Sequence, residues 1–418
     1  MSALFLNAIQ LKPPIETMAT PSSFDCRLCG QPVTTPPLPF GHLPVCNGFG
    51  RTESVERAAD LHIAECETCR LIQLRDSPPR DLLTPRVPWI RYREPEGHLD
   101  ALAGELLALR PAARTALGTG PFEQPLLSRL GARGLATSAL ALDLPAAEGR
   151  FPYLESWQAT LNAPQLATRA AQLGTFDVVS CRYILEHAPE PIRALQALKQ
   201  LLSPDGLLLI EVPDSSKFLA ARDYCFLWEE HSSYFVEDTL RDLAAVSGYR
   251  VAALLRYPGV LEDALVAVLE PAEAPALPPA ARGPSALFQA YRDNFATTRA
   301  QLRSKLAALA GPDRNGIALF GIGHHAIMFV NAFGLADLIA LAVDDDADKS
   351  GFFPPGLHGP VVGSERLLAD ERIKLCLFAV APHIEGKVRD KLAPLAARGV
   401  EFRSIYAALD YSILKDPA

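Results

Sequence analysis

The sequence predicts an α/β protein of three parts: a cysteine-pinned N-terminal module, then two units in which short apolar strands alternate with amphipathic helices. Three observations carry this. Five of the eight cysteines fall between Cys26 and Cys69, as two C-x-x-C pairs with Cys46 between them. Apolar runs such as FDVV (176–179) and GLLLIEV (206–212) alternate with helical stretches over 111–270. A glycine turn, GIGHH, follows another apolar run at 317–320. Such alternation argues for mostly parallel sheets with helices on both faces. Both units are therefore predicted to be Rossmann-like, the second the smaller.

Composition bounds the rest. The chain has 418 residues, 49% apolar and 21% charged, enough to bury real cores. Its formal charge is −8 with no basic run, which argues against a nucleic-acid surface. No apolar stretch nears the roughly 20 residues that cross a bilayer. Residues 1–25 lack a basic n-region and read as a flexible tail, not a signal peptide. The segments that follow are 26–80, the cysteine module; 81–270, the first α/β unit; 271–310, a Pro/Ala-rich linker and one long helix; and 311–418, the second unit.

Cys26, Cys29, Cys66 and Cys69 supply the four soft ligands that tetrahedral Zn²⁺ requires. His42 and His62 are alternative ligands and Cys46 is a spare. A closed four-thiolate site leaves no position for water, so this zinc is expected to be structural. Clustered C-x-x-C pairs suit metal binding in a reducing cytoplasm better than a disulfide framework.

In a parallel sheet, ligands bind beyond the carboxyl ends of the strands. Gly118 and Gly120 follow the first strand of the central unit, where glycine lets the backbone approach a ligand. Asp143 follows the second strand and is placed to accept hydroxyls from a ribose. The segment FLWEEHSSYF (226–235) packs two carboxylates and a histidine among aromatics. His231 is the natural base at neutral pH, and the adjacent Glu230 is expected to orient its ring and raise its basicity. His187, closing RYILEH, is a second candidate. Solvated-loop or core roles remain the alternative for each.

Taken in order, CxxC…CxxC, FDVV…LEH, LSPDG…EVP, EEHSSYF and a C-terminal GxG…PG…PV series resemble the zinc-containing nucleotide-sugar C-methyltransferases of deoxysugar biosynthesis, a branch of the class I S-adenosylmethionine-dependent methyltransferases. The resemblance runs from about Cys26 to Tyr411. It implies a zinc-binding N-terminal domain, a methyltransferase core and a smaller C-terminal Rossmann-like domain. It also implies S-adenosylmethionine as cofactor and a nucleotide-linked keto-sugar as substrate. A histidine at His231 would deprotonate the carbon beside the keto group, and the enolate would attack the methyl group. Glu230, His187 and Tyr234 fall on the family's other active-site positions, and Trp228, Tyr92 and Arg91 are expected near the substrate. A soluble cytoplasmic monomer or homodimer is expected.

Three departures bear on this expectation. The family's acidic residue at the end of the first strand is Ala116 here, and a later glycine of the loop is Phe122. Loss of that carboxylate removes charge-assisted hydrogen bonds worth about 1.5–3 kcal/mol. The first aromatic of the histidine motif is Trp228, without a hydroxyl. The loop 89–99 carries Arg91 and Arg93 in place of a Tyr/Ser-rich stretch. A methyltransferase-like epimerase or isomerase, or a non-catalytic nucleotide-sugar binder, are therefore the alternative readings.

Overall fold

In a computed structural model, the described residues are 23–53, 57–87, 89, 94–140, 168 and 171–415. The N-terminal module is an antiparallel meander of β1 (Leu38–Pro44), β2 (Ala58–Glu65) and β3 (Ile72–Leu74). Both cysteine knuckles turn through a left-handed residue one position after the second cysteine, Gly30 (φ 68°) and Arg70 (φ 65°). In each, the amide of that residue donates back to the carbonyl of the first cysteine.

The central sheet comprises β4 (Thr115–Gly118), β5 (Ala136–Ala139), β6 (Phe176–Arg182), β7 (Leu202–Asp214), β9 (Tyr249–Tyr257) and β10 (Asp263–Pro271). Their spatial order is β9-β10-β7-β6-β4-β5. Strands β5, β4, β6 and β7 run parallel, and β10 and β9 are antiparallel additions. Strand residues alternate between two cores, as the period of two requires. Val178, Leu207 and Leu209 face helices α1 (Leu99–Leu109) and α2 (Gln124–Ala132). Val179, Leu208 and Ile210 face α3 (Pro191–Lys199) and α4 (Glu237–Val246).

Although it holds Pro204 and Gly206, LSPDG at 202–206 lies within β7. Phe176 pairs with Leu202 and Val178 with Leu207, so the extra residues are absorbed as a bulge. Gly206 permits it: a Cβ there would lie 2.9 Å from the Phe176 carbonyl oxygen.

The second unit is a five-stranded parallel sheet of β11 (Ile317–Phe320), β12 (Leu341–Val343), β13 (Val361–Val362), β14 (Leu375–Phe378) and β15 (Glu401–Ser404). The order β13-β12-β11-β14-β15 is that of a doubly wound Rossmann-like sheet. Between the units, the Pro/Ala-rich segment is tied to the second knuckle by Gly283 N to Glu67 O and Arg70 Nε to Gly283 O. The long helix α5 (Ala286–Ala310) then joins the parts: Phe40, Tyr224, Tyr291, Phe295 and Phe333 share one apolar core. Among the described residues, no helix is long and apolar enough to cross a membrane.

One pairing has direct bearing on the site. Ser233–Tyr234, labelled β8, leaves the central unit and adds to the N-terminal sheet, with Ser233 opposite Gln73 and Tyr234 opposite Ile72. The strand it joins begins three residues after Cys69.

Candidate active site and metal centre

The four thiols of the two knuckles converge. Cys26 Sγ lies 3.5 Å from Cys69 Sγ, and Cys29 Sγ lies 3.5 Å from Cys66 Sγ. All four sulfurs sit within 4.8 Å of one another, and all four residues are buried. Sulfurs about 2.3 Å from a common tetrahedral centre are spaced about 3.8 Å apart, so the set fits Zn²⁺. His42 pairs with Asp60 in the exposed part of the hairpin, outside this cluster.

The second constellation surrounds a cavity of about 50 Å³. His187, Trp228, Glu230 and His231 line it, together with Glu94, Tyr183, Glu186 and Glu262. Four of the residues singled out from sequence are thus brought together. The strand that carries FDVV ends at Arg182. Tyr183 then takes a left-handed conformation (φ 53°), costly for a bulky side chain, and Leu185–His187 forms a short 3₁₀ turn. This sharp exit aims Glu186 and His187 into the cavity.

His231 sits in a turn whose amide bonds back to the Trp228 carbonyl at 3.0 Å. The Tyr234 hydroxyl clamps the same residue, donating to the Trp228 carbonyl at 2.8 Å and accepting from its amide at 3.1 Å. Trp228 stacks between His231 and His324, with centroid distances of 5.7 and 3.6 Å. The His187 and His231 rings meet edge to face at 4.5 Å.

The electrostatics differ from the sequence expectation of a base strengthened by a carboxylate. Burial holds the His231 ring well below the usual imidazole range, and the His187 and His324 rings beside it depress it further. Burial likewise pulls His187 down to about 3. Facing carboxyls move the opposite way: burial raises Glu94 to about 7, Glu262 to about 8, and Glu186 well above its usual value. Burial therefore favours the neutral form of both the imidazoles and the carboxyls, with Glu94 near half-protonation at pH 7. The His187 ring N–H donates to the Glu230 carbonyl, leaving Nδ1 without a hydrogen-bond partner, as is Glu186 Oε2. Buried polar atoms left unpaired are uncommon in native structures and call for an explanation such as a ligand.

Glu94, Glu186 and Glu262 were not anticipated. Glu186 was signalled by its place beside His187. Glu262 comes from the hairpin between β9 and β10 and carries no local signature.

The glycine turn is the third feature. Gly118 ends β4, and a Cβ there would lie 2.4 Å from the Glu123 Cβ; one on Gly120 would lie 3.1 Å from Ile184. The buried Glu123 carboxyl folds over the turn, accepting from Ser180 Oγ at 2.5 Å and Arg182 N at 2.8 Å. Arg182 bonds Glu211 at 2.5 Å and the carbonyls of Phe122 and Pro95. Ala116 is buried in the strand opposite Val178. Both glycines make room for the chain's own glutamate. The described side of the turn is filled by Glu123, which burial raises to about 7, with Arg182 beside it. Asp143, Arg91 and Tyr92 lie outside the described residues.

Three families match consecutive stretches of the chain. Residues 26–83 match a family described as "Putative zinc binding domain", 106–254 a "Methyltransferase domain", and 282–405 a "C-methyltransferase C-terminal domain". The three matches follow one another along the chain without overlapping. One such relative, C-methyltransferase NovU of Streptomyces niveus, is 25% identical over 240 residues, 54% of this chain and 56% of that protein. The ubiquinone biosynthesis O-methyltransferase of Haemophilus ducreyi is 42% identical over 53 residues, 13% of this chain and 22% of its own length. The chain thus spans between about a fifth and just over half of these relatives. A solved N1-methyltransferase of Burkholderia thailandensis, bound to S-adenosylhomocysteine, aligns at a TM-score of 0.30 and 18% identity. That alignment covers 43% of this chain and 80% of that one.

Proposed function

We propose that the protein is an S-adenosylmethionine-dependent C-methyltransferase acting on a carbon beside a carbonyl, in a nucleotide-linked keto-sugar or a similar ketone. The observation that carries this is the cavity at which buried His231 and His187 face buried Glu94, Glu186 and Glu262, in a chain whose residues 282–405 match a C-methyltransferase C-terminal domain. A neutral imidazole takes the proton from the α-carbon. A carboxylic acid donates a hydrogen bond to the carbonyl oxygen as it gains charge. Together they lower the cost of the enolate, each in the way general acids and bases do.

His231 is the base on this reading. His187 packs edge-on against it, held by its bond to the Glu230 carbonyl. Glu262, which burial raises to about 8, is the donor to the oxyanion, with Glu94, raised to about 7, beside it. Trp228 walls the base off from water. S-adenosylmethionine, when bound, supplies an electrophilic methyl group. The turn at Gly118 and Gly120 is where it would be held, with Asp143, and its entry requires the Glu123 side chain to leave its place over Gly118.

That last requirement favours a second reading, an epimerase or isomerase that forms the enolate and reprotonates it. One experiment separates the two. The purified chain is incubated in D₂O with a panel of nucleotide-linked keto-sugars, with and without S-adenosylmethionine. Methyl transfer supports the first reading. Deuterium uptake beside the carbonyl with no methylated product supports the second. Neither outcome across the panel removes both.

A further inference from the structure

Cys46, Glu229 and His324 lie outside the chemistry described so far, and each comes from a different part of the molecule. Cys46 follows β1 in the N-terminal module, Glu229 belongs to the motif loop of the central unit, and His324 is the first residue of the helix His324–Phe333 in the second unit. Their sulfur, carboxylate oxygen and imidazole nitrogen all lie within 4.8 Å of one another.

Three details point to a ligand. Glu229 is 3% exposed, and its Oε1 accepts from the Cys46 amide at 2.6 Å, but its Oε2 has no hydrogen-bond partner. His324 Nδ1 stands 3.8 Å from that oxygen, too far for a hydrogen bond, and the Cys46 thiol also faces the Glu229 carboxyl. His324 Nε2 is anchored to the Leu227 carbonyl at 2.9 Å. That arrangement leaves Nδ1 as the lone-pair nitrogen facing Glu229. Metal-ligating histidines are oriented in this way, one ring nitrogen donating to a carbonyl while the other faces the ion.

We propose that Cys46 Sγ, a Glu229 carboxylate oxygen and His324 Nδ1 form a second zinc site, distinct from the four-cysteine centre and located where the three domains meet. A point equidistant from three atoms 4.8 Å apart is at most about 2.8 Å from each, so sub-ångström shifts reach the 2.0–2.3 Å of zinc–ligand bonds. Thiolate, imidazole and carboxylate are all ordinary zinc ligands. Binding replaces the Cys46 thiol proton by the metal and releases that proton to solvent, so affinity rises with pH. The ion would also fix Trp228, whose ring stacks on His324, and with it one wall of the cavity. Glu186, His187 and His231 bring together a further three ligand-type atoms, but they belong to the cavity already assigned to catalysis.

The test is metal stoichiometry on the full chain. Purified protein is equilibrated with ZnCl₂, dialysed and measured by elemental analysis. Two zinc ions per chain are expected, falling to one in Cys46→Ser and in His324→Ala. In the Co²⁺-substituted protein, Cys46→Ser should lower the thiolate-to-metal charge-transfer band by about one part in five while the tetrahedral four-thiolate ligand-field bands persist. A wild-type chain that retains only one zinc, with the charge-transfer band unchanged in Cys46→Ser, overturns the site. The wild-type count needs no variant to fold.

Discussion

The cavity at His231 and the glycine turn at Gly118 lie close along the carboxyl ends of the same central strands, yet they are finished differently. At the turn, every titratable side chain has a partner inside the chain: Glu123 holds Ser180 and Arg182, and Arg182 holds Glu211. In the cavity, Glu186 Oε2 and His187 Nδ1 have none. Buried polar groups with full partners shape a fold; orphaned ones call for an explanation such as a ligand. Glycine spacing, the feature legible in sequence, marks the first region, whereas unsatisfied atoms mark the second.

Substitutions should break this symmetry of position in opposite ways. His231→Gln is expected to cost about 10²–10⁴-fold in kcat with little change in folding stability, since one general base is lost. Steady-state kinetics and urea unfolding on the same preparation check both halves. Arg182→Met should do the reverse, lowering stability by about 1–3 kcal/mol, because the buried Glu211 keeps only the His98 ring at 2.9 Å as partner.

Glu123→Ala sharpens the contrast at the turn itself. Freeing the space above Gly118 should tighten S-adenosylmethionine binding by about tenfold, or 1.4 kcal/mol, by calorimetry. A weaker affinity would make Glu123 a direct ligand of the cofactor.

A further effect is expected in the pH dependence. Glu262 is raised to about 8 when folded, above the ordinary carboxyl value of 4.5. The unfolded chain therefore holds fewer protons between those values, and stability contributed by this group declines as pH rises from about 4.5 to 8. Glu262→Gln should flatten that decline in thermal unfolding between pH 5 and 8. For His187, lowered to about 3, the sign reverses, and its contribution is lost as pH falls below the ordinary imidazole range.

Much of the architecture was readable because it is local. The knuckles announce themselves by spacing, and the strands FDVV and LLLIEV by uninterrupted apolar runs. EEHSSYF could be singled out because its reactive groups are crowded into ten residues. What escaped is long-range. Glu94 and Glu262 come to His231 from loops of ordinary composition, brought there by sheet topology alone. Glu123 escaped for another reason: glycines were read as space for a ligand, when the space is used by a neighbour five residues on. The direction of the histidine shift was missed because a sequence lists neighbouring charges but not burial, and burial is the larger influence here.

The two-residue strand Ser233–Tyr234 hangs from the strand that emerges from the second knuckle, and Tyr234 in turn grips Trp228 beside His231. Chelating the four-thiolate metal should therefore slacken the reactive imidazole from a distance. Zinc supply would act as a tether on turnover, felt as a fall in rate before either Rossmann-like sheet melts, which paired activity and circular-dichroism readings during chelation would reveal.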